Sequence, residues 1–299
     1  MTEPNLKAQH IGIVGCSAEG AALCYRTVCA SGAALLGPYG HPEVSLHTPP
    51  FSAYVDCLDR ADWAGVADLM LASANKLARI GANFLICPDN TIHQALPLVL
   101  LRSPLPWLPI AEVVADEAVR RGFRRLGLTG TRWLVAGPVY ADAFAARGLE
   151  LVRPTDAERE DVNRIIMEEL VRGEFRPESV AYLQKLIQRM GEDGCDAVVL
   201  GCTEIPLIIN DANSLLPTLD STRLLAAAAV RRAIDGAPSA PPKAAKLEPA
   251  VSVRASARRR AKRQRRSWEA GGLRTLGDGC RAVGAQCSLS RAHCDRPRR

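Results

Sequence analysis

The stretch FLICPDNTIH, residues 84–93, places an acidic residue directly after an apolar run that predicts a buried β-strand. A second stretch, AVVLGCTEIP at residues 197–206, has the same outline, with Cys202 at the place that Asp89 holds in the first. In open parallel sheets, ligands bind in the crevice beyond the carboxyl ends of the strands. We therefore expect the two stretches to be partners that bring Asp89 and Cys202 to one site.

The rest of the body alternates short apolar runs with longer helical patterns, which predicts βαβ units and parallel sheets. Candidate strands lie at residues 10–14, 44–47, 84–87, 125–129, 150–152, 197–200 and 215–219, and candidate helices at 61–80, 111–121, 157–172 and 178–192. The sequence therefore predicts an α/β fold of two pseudo-symmetric lobes. Each lobe is a mostly parallel sheet flanked by helices, and the active site lies in the cleft between the lobes.

Length and composition divide the chain into two lobes and a tail. A chain of 299 residues with 47% apolar residues suits two domains. We expect residues 1–111 plus 213–236 to form the first lobe and residues 112–212 the second. After Gly236, residues 237–299 hold 16 Lys and Arg against 4 Asp and Glu, so this tail carries +12 and the body −6. We predict a disordered basic tail capable of weak, non-specific contact with nucleic acid.

The sequence shows no sign of a membrane span, a metal centre or a dinucleotide site. No apolar run approaches the roughly 18 residues that cross a bilayer, and the polar start MTEPNLKAQH predicts no signal peptide. We therefore expect a cytoplasmic protein whose ten cysteines are reduced, and no cysteine pair has the CxxC spacing of a zinc site. The loop GCSAEG, residues 15–20, does not fit the GxGxxG fingerprint.

Asp89 and Cys202 are suited to proton transfer from two sides of a ligand. Two groups that face one carbon from opposite sides invert it when one removes the α-proton and the other protonates the far face. A thiol has an ordinary pKa of about 8.5, lower at a helix N-terminus, and CTEIPLII predicts such a helix start at Cys202. An exposed Asp89, with a pKa of about 3.9, would be ionised and a poor proton donor. Burial or a nearby negative charge, such as the Cys202 thiolate, would raise this pKa.

Several of these residues also have a structural interpretation. An aspartate such as Asp89, at a strand-to-helix turn, is often an N-cap, and Asn90 and Thr91 are types that satisfy the backbone of their own turn. We expect His93 to be a helix-face or capping residue. We expect Glu204 to make a structural hydrogen bond to the cleft wall.

The motifs PDNTIH at residues 88–93 and GCTE at residues 201–204 resemble the paired motifs PCNTxH and GCTE of the cofactor-independent aspartate/glutamate racemases. The stretches RLGLTGTRWL and IGIVGCSAEGAA are similar to that family's substrate-pocket segment and opening strand, so the resemblance covers residues 10–235. It implies an amino-acid racemase without pyridoxal phosphate, other cofactor or metal. It also implies aspartate or glutamate as substrate and a homodimer.

The resemblance implies a role for seven residues. Cys202 and Asp89 are the catalytic pair, and the substrate-binding residues are Ser17, Asn90, Thr91, Thr131 and Thr203. Asp89 departs from the family pattern, because it stands where the family has its first catalytic cysteine. Two alternatives therefore stay open. One is a related one-thiol lyase or isomerase, similar to arylmalonate decarboxylase or maleate isomerase, and the other is an inactive ligand-binding protein with a nucleic-acid-binding tail.

Overall fold

Strands and helices alternate along residues 8–236, the part that the structure, a computed structural model, describes; the predicted basic tail lies outside the described residues. The strands are β1 Ile11–Val14, β2 Val44–His47, β3 Phe84–Ile86, β4 Trp107–Leu108, β5 Arg125–Thr129, β6 Glu150–Val152, β7 Ala197–Leu200 and β8 Thr218–Asp220. The helices are α1 Ala18–Leu36, α2 Phe51–Asp59, α3 Trp63–Arg79, α4 Leu96–Leu100, α5 Ile110–Arg121, α6 Arg132–Ala136, α7 Val139–Ala145, α8 Asp156–Arg164, α9 Pro177–Glu192 and α10 Ser221–Asp235.

The eight strands form two parallel sheets with the same connectivity. The first has the order β2-β1-β3-β4 and the second the order β6-β5-β7-β8, and every pairing is parallel. The predicted α/β class with two parallel sheets is confirmed. In each sheet the two central strands lead to opposite edges, so the loops after β1 and β3, and after β5 and β7, flank a topological switch point where ligands bind.

Side chains of the first sheet alternate between two layers of helices. Ile11 and Ile13 pack with Val28 of α1 and with α10, whereas Val14 packs on the other face with Met70 of α3. All five side chains are fully buried. Since successive strand residues point to opposite faces, a sheet covered on both sides requires the unbroken apolar runs IGIV and FLI.

The second sheet is covered in the same way. In β7, Val198 packs with Leu183 of α9, and Val199 packs on the opposite face with Phe144 of α7. These four side chains are completely buried. The helical layers therefore fix both sheets and leave the carboxyl ends of their central strands to form the site.

The last strand lies in a different place from the predicted one. The predicted strand at residues 215–219 is observed at Thr218–Asp220, where it pairs with β7 in the second sheet. The helix that follows packs against α1 and the core of the first sheet. The chain therefore passes from the second sheet to the core of the first sheet after Asp220, and the lobe boundary expected near residue 213 stays a prediction.

Two helix predictions need correction. The predicted helix at residues 157–172 is regular only to Arg164 and continues as a π-helix at Ile165–Glu169 and a 3-10 turn. The helix predicted at Cys202 is only a 3-10 turn at Ile205–Leu207, which begins three residues after the cysteine. Within residues 8–236 no helix combines the length and apolar character needed to cross a membrane.

Candidate active site

The loops after β1, β3, β5 and β7 enclose a cavity of about 30 Å³, which has room for about two water molecules. All seven residues predicted for the site line it: Ser17, Asp89, Asn90, Thr91, Thr131, Cys202 and Thr203. The other lining residues are Phe51, Ile166, Met167, Val171, Gly201 and Glu204. Asp89 and Cys202, which come from different sheets, therefore border the same space.

Asp89 is held at the turn that follows β3. Its carboxylate Oδ1 accepts the Ile92 backbone N–H at 3.2 Å, so it caps the 3-10 turn and also faces the cavity. Burial and then the charge of Glu204 raise its pKa to about 6. The expected rise therefore occurs, but the nearby negative charge belongs to Glu204 and not to a Cys202 thiolate.

Cys202 is a buried thiol that donates to a carboxylate. Its Sγ lies 3.0 Å from Glu204 Oε2, and only 6% of the residue's surface is exposed. Burial and then the charge of Glu204 raise the pKa of this thiol well above its usual value. The prediction of a thiolate favoured by a helix N-terminus is therefore wrong, because the long helix is absent and a carboxylate stands against the sulfur.

Glu204 ties together the loops after β1 and β7. Its Oε1 accepts the Ser17 hydroxyl at 2.7 Å, while Oε2 accepts both the Cys202 thiol and the Thr203 hydroxyl, the latter at 2.7 Å. Gly20 permits this close approach, since a Cβ there would lie 2.4 Å from Thr203. Sequence reasoning gave Glu204 only a structural bond, although its place two residues after Cys202 in GCTE was the available signal.

The Asn90 amide is fixed by two residues that sequence reasoning missed. Tyr140 donates its hydroxyl to Asn90 Oδ1 at 2.7 Å, and Asn90 Nδ2 donates to Ser221 Oγ at 3.0 Å. Ser221 in turn donates to the Leu200 carbonyl at 2.8 Å, at the end of β7. One amide N–H of Asn90 is left for a ligand. No motif marks Tyr140 or Ser221, because both reach Asn90 only through the tertiary fold.

Two threonines connect the loops after β3 and β5. The hydroxyls of Thr91 and Thr131 are 2.8 Å apart, and Thr131 also accepts the Leu134 N–H at 3.3 Å as the N-cap of α6. Thr203 lies 3.3 Å from Ser17. Each of the predicted binding hydroxyls therefore bonds a neighbour, and a ligand carboxylate would exchange places with those partners.

His93 contacts the backbone of Asp89 and of Ile110. Its Nε2 accepts the Ile110 N–H at 3.4 Å, so Nδ1 carries the proton and donates to the Asp89 carbonyl at 2.7 Å. Burial lowers its pKa to about 4, which keeps the ring neutral. Its contacts are those of a structural residue. Among the residues described, no group of three or more His, Cys, Asp and Glu is placed to hold a metal ion.

Comparisons with a family profile, with characterised proteins and with solved structures all find racemases. The profile of the Asp/Glu/Hydantoin racemase family matches residues 11–229. The broad specificity amino-acid racemase RacX of Bacillus subtilis is 22% identical over 193 residues, 64% of this chain and 81% of RacX. A candidate Asp/Glu racemase from Yersinia pestis has a TM-score of 0.69 at 29% identity, covering 76% of this chain and 99% of that one. An aspartate racemase homologue from Pyrococcus horikoshii has a TM-score of 0.66 at 27% identity, and the match covers 75% of this chain and 99% of that one.

Proposed function

Because the chain belongs to the Asp/Glu/hydantoin racemase family, we propose that it is a cofactor-independent racemase of a small acidic amino acid, aspartate or glutamate. In this proposal Cys202 and Asp89 exchange the α-proton of the substrate. The observation that carries it is that an acid and a thiol from different sheets border one cavity. A homodimer, which the resemblance implies, and a cytoplasmic location, which the polar start and the lack of a long apolar run predict, are further parts of the proposal.

The resting protonation states assign each catalytic group a first task. With a pKa of about 6, Asp89 is mostly ionised at neutral pH and is ready to accept a proton. Cys202 has a pKa raised well above its usual value and holds a proton to donate. The free enzyme is therefore prepared for the enantiomer whose α-proton faces Asp89.

Turnover moves one proton to Asp89 and another from Cys202. Asp89 takes the α-proton, and the electrons of the C–H bond move into the substrate carboxylate as a carbanion or enediolate. The Cys202 S–H bond then breaks as its proton passes to the opposite face of the same carbon. The enzyme is left with a neutral Asp89 and a Cys202 thiolate, the state that accepts the opposite enantiomer.

Glu204 lies within hydrogen-bond distance of the Cys202 thiol and can therefore influence its proton. Its carboxylate accepts a hydrogen bond from the Cys202 thiol. It also accepts hydrogen bonds from the hydroxyls of Ser17 and Thr203. We propose that Glu204 keeps the thiol oriented and makes its loss of a proton costly in the resting enzyme. This cost favours the protonated thiol until a carbanion is present to receive its proton.

Neutral donors bind the substrate carboxylates in this proposal. Asn90 offers its remaining amide N–H, and Thr91, Thr131 and Thr203 offer hydroxyls now bonded to neighbours. A cavity of about 30 Å³ is too small for an amino acid, so binding requires its wall to move. We expect the movement in the irregular segment that supplies Ile166, since π-helical turns are frequent at functional sites.

Solvent deuterium uptake tests the proposal directly. In D₂O, the wild-type chain is expected to introduce deuterium at the α-carbon of both L- and D-aspartate or both glutamate enantiomers. Cys202→Ala should abolish interconversion, while Cys195→Ala, which removes a buried thiol outside the cavity, should leave it unchanged. Racemisation at the wild-type rate by Cys202→Ala would exclude the assignment, and exchange with neither enantiomer would favour a one-thiol lyase or isomerase.

A further inference from the structure

Two kinds of residue line the cavity, and they come from different parts of the fold. The loops after β1, β3, β5 and β7 supply the polar residues. The apolar residues come from helical segments: Phe51 begins α2, Ile166 and Met167 belong to the π-helical stretch, and Val171 follows in the 3-10 turn. We call these four residues the apolar wall. The proposed function assigns proton transfer and carboxylate binding to the polar residues, so the apolar wall is left to meet the substrate side chain.

The charged residues of the cavity are all acidic. Among residues 8–236, those that line it include two carboxylic acids, Asp89 and Glu204, and no lysine, arginine or histidine. Glu204 is almost fully buried, and its carboxylate accepts three hydrogen bonds, from Ser17, Cys202 and Thr203. The cavity therefore offers a substrate neutral donors and negative charge, but no positive charge.

The arginines closest in the chain to the lining residues are paired elsewhere or exposed. Arg132 comes directly after a lining threonine, but one of its guanidinium nitrogens lies 3.6 Å from a carboxylate oxygen of Asp59. Arg164 comes just before the π-helical stretch and pairs with Glu169 at 3.3 Å. Arg172, at the end of the 3-10 turn, is exposed. A side-chain carboxylate of a substrate therefore meets no cationic partner among the described residues that line the cavity.

Acidic and apolar amino acids differ in what their side chains meet in this cavity. A side-chain carboxylate would lose its water, find no cation and be repelled by two acids of the same charge. An apolar side chain has no hydrogen bonds to lose and is stabilised by burial against Met167 and Val171, which are only partly buried and have surface left to cover. The α-carboxylate and the α-proton are common to both classes. The cavity therefore suits the apolar class at least as well as the acidic one.

We propose that the same site also racemises α-amino acids with an apolar side chain, such as alanine, valine and methionine, at least as efficiently as aspartate or glutamate. This inference rests on the proposed function, because it uses the same proton exchange. Asp89 takes the α-proton, the electrons of the C–H bond move into the α-carboxylate, and Cys202 delivers its proton to the opposite face of the carbon. The side chain takes no part in the reaction and no further reactant is needed. The apolar wall selects the side chain by contact rather than by charge.

A panel of amino acids in D₂O tests the inference on the wild-type chain. Proton NMR follows the replacement of the α-proton by deuterium in both enantiomers of alanine, valine, methionine, aspartate and glutamate. For at least one of the three apolar amino acids, kcat/KM should equal or exceed the values for aspartate and glutamate. Exchange with aspartate or glutamate alone would overturn the inference and leave the proposed function intact. Exchange with none of the five would overturn the racemase on which both rest.

A cation placed on the apolar wall tests whether the wall selects the side chain. Met167→Lys introduces the missing positive charge, and Met167→Gln is the matched neutral control. Glutamate and methionine have side chains of similar length, so the ratio of their kcat/KM values reports on charge. This ratio should favour glutamate at least about tenfold more in Met167→Lys than in Met167→Gln, and an equal ratio in the two would overturn the role of the wall.

The variant Cys202→Ala shows whether both classes use one site. It should lose deuterium exchange with the apolar amino acids as well as with aspartate and glutamate. Exchange with alanine, valine or methionine that survives in this variant would place that activity outside the cavity and overturn the inference.

Discussion

The Tyr140 hydroxyl donates a hydrogen bond of 2.7 Å to the amide oxygen of Asn90, a residue 50 positions earlier in the chain. Both side chains are buried, and Ser221 accepts from the other end of the same amide at 3.0 Å. The amide is therefore fixed in one orientation, and its remaining N–H is the one that the proposed function assigns to a substrate carboxylate. Tyr140 of α7 and Ser221 at the start of α10 thus orient a side chain that follows β3 of the first sheet.

Replacing Tyr140 by Phe should weaken substrate binding more than the chemical step. The change leaves the buried Asn90 oxygen without a donor, so the amide loses its fixed orientation. We expect KM to rise about tenfold with a smaller effect on kcat. Tyr182→Phe is the matched control, because that hydroxyl bonds Asp161 outside the cavity. A rise in KM of the same size in both variants would contradict the role of Tyr140.

Replacements of Asp89 should show whether the carboxylate transfers a proton. Asp89→Asn keeps an oxygen that caps the Ile92 N–H but removes the base, so kcat should fall by about 10² to 10⁴. Asp89→Cys installs the residue found in the family motif and should restore racemisation, with the acid limb moved from about pH 6 toward the higher pKa of a thiol. Wild-type turnover by Asp89→Asn would show that Asp89 is only a cap.

Asp89 should also make stability depend on pH. Its pKa is about 6 in the folded protein against 3.8 for the free group, so its contribution is fully present below pH 3.8 and is lost as the pH rises through 6. Denaturant unfolding should show that Asp89→Asn gains on the order of 2 kcal/mol over the wild type between pH 4 and pH 7.5.

Asp211→Asn is the control of opposite sign. Hydrogen bonds from Thr218 lower the pKa of Asp211, so this carboxylate stabilises the fold above its unfolded pKa, and that contribution is lost as the pH falls through its folded pKa. Asp211→Asn should therefore be less stable than the wild type at pH 7.5. A gain in stability by both variants at that pH would contradict the assignment to Asp89.

A larger side chain at Met167, in the irregular segment that we expect to move, should block the substrate without unfolding the protein. Met167 is only partly buried and borders the cavity, so Met167→Trp adds volume beside the space in which we propose that the amino acid binds. We expect KM to rise by about tenfold or more while the thermal midpoint stays within a few degrees. Met167→Leu conserves volume and should behave as the wild type. Unchanged KM in Met167→Trp would place substrate entry elsewhere.

Periodicity and motifs were sufficient for the α/β fold and for seven of the residues that line the cavity. Apolar runs such as IGIV and AVVL predict buried parallel strands because both faces of each sheet are covered by helices. The family resemblance read from PDNTIH and GCTE is confirmed by the profile match. Polar residues directly after those strands were predicted to meet, and the common geometry of parallel sheets explains why they do.

The protonation states and the supporting residues were decided only by the tertiary structure. A sequence shows that Cys202 is a thiol, but its pKa depends on burial and on the Glu204 carboxylate. The contacts of Glu204 with Ser17, and of Asn90 with Tyr140, join side chains from separate segments and leave no periodic signal. Local sequence determines which residues follow directly after each strand. The pKa values and side-chain orientations depend on desolvation and contacts that exist only after distant segments pack together.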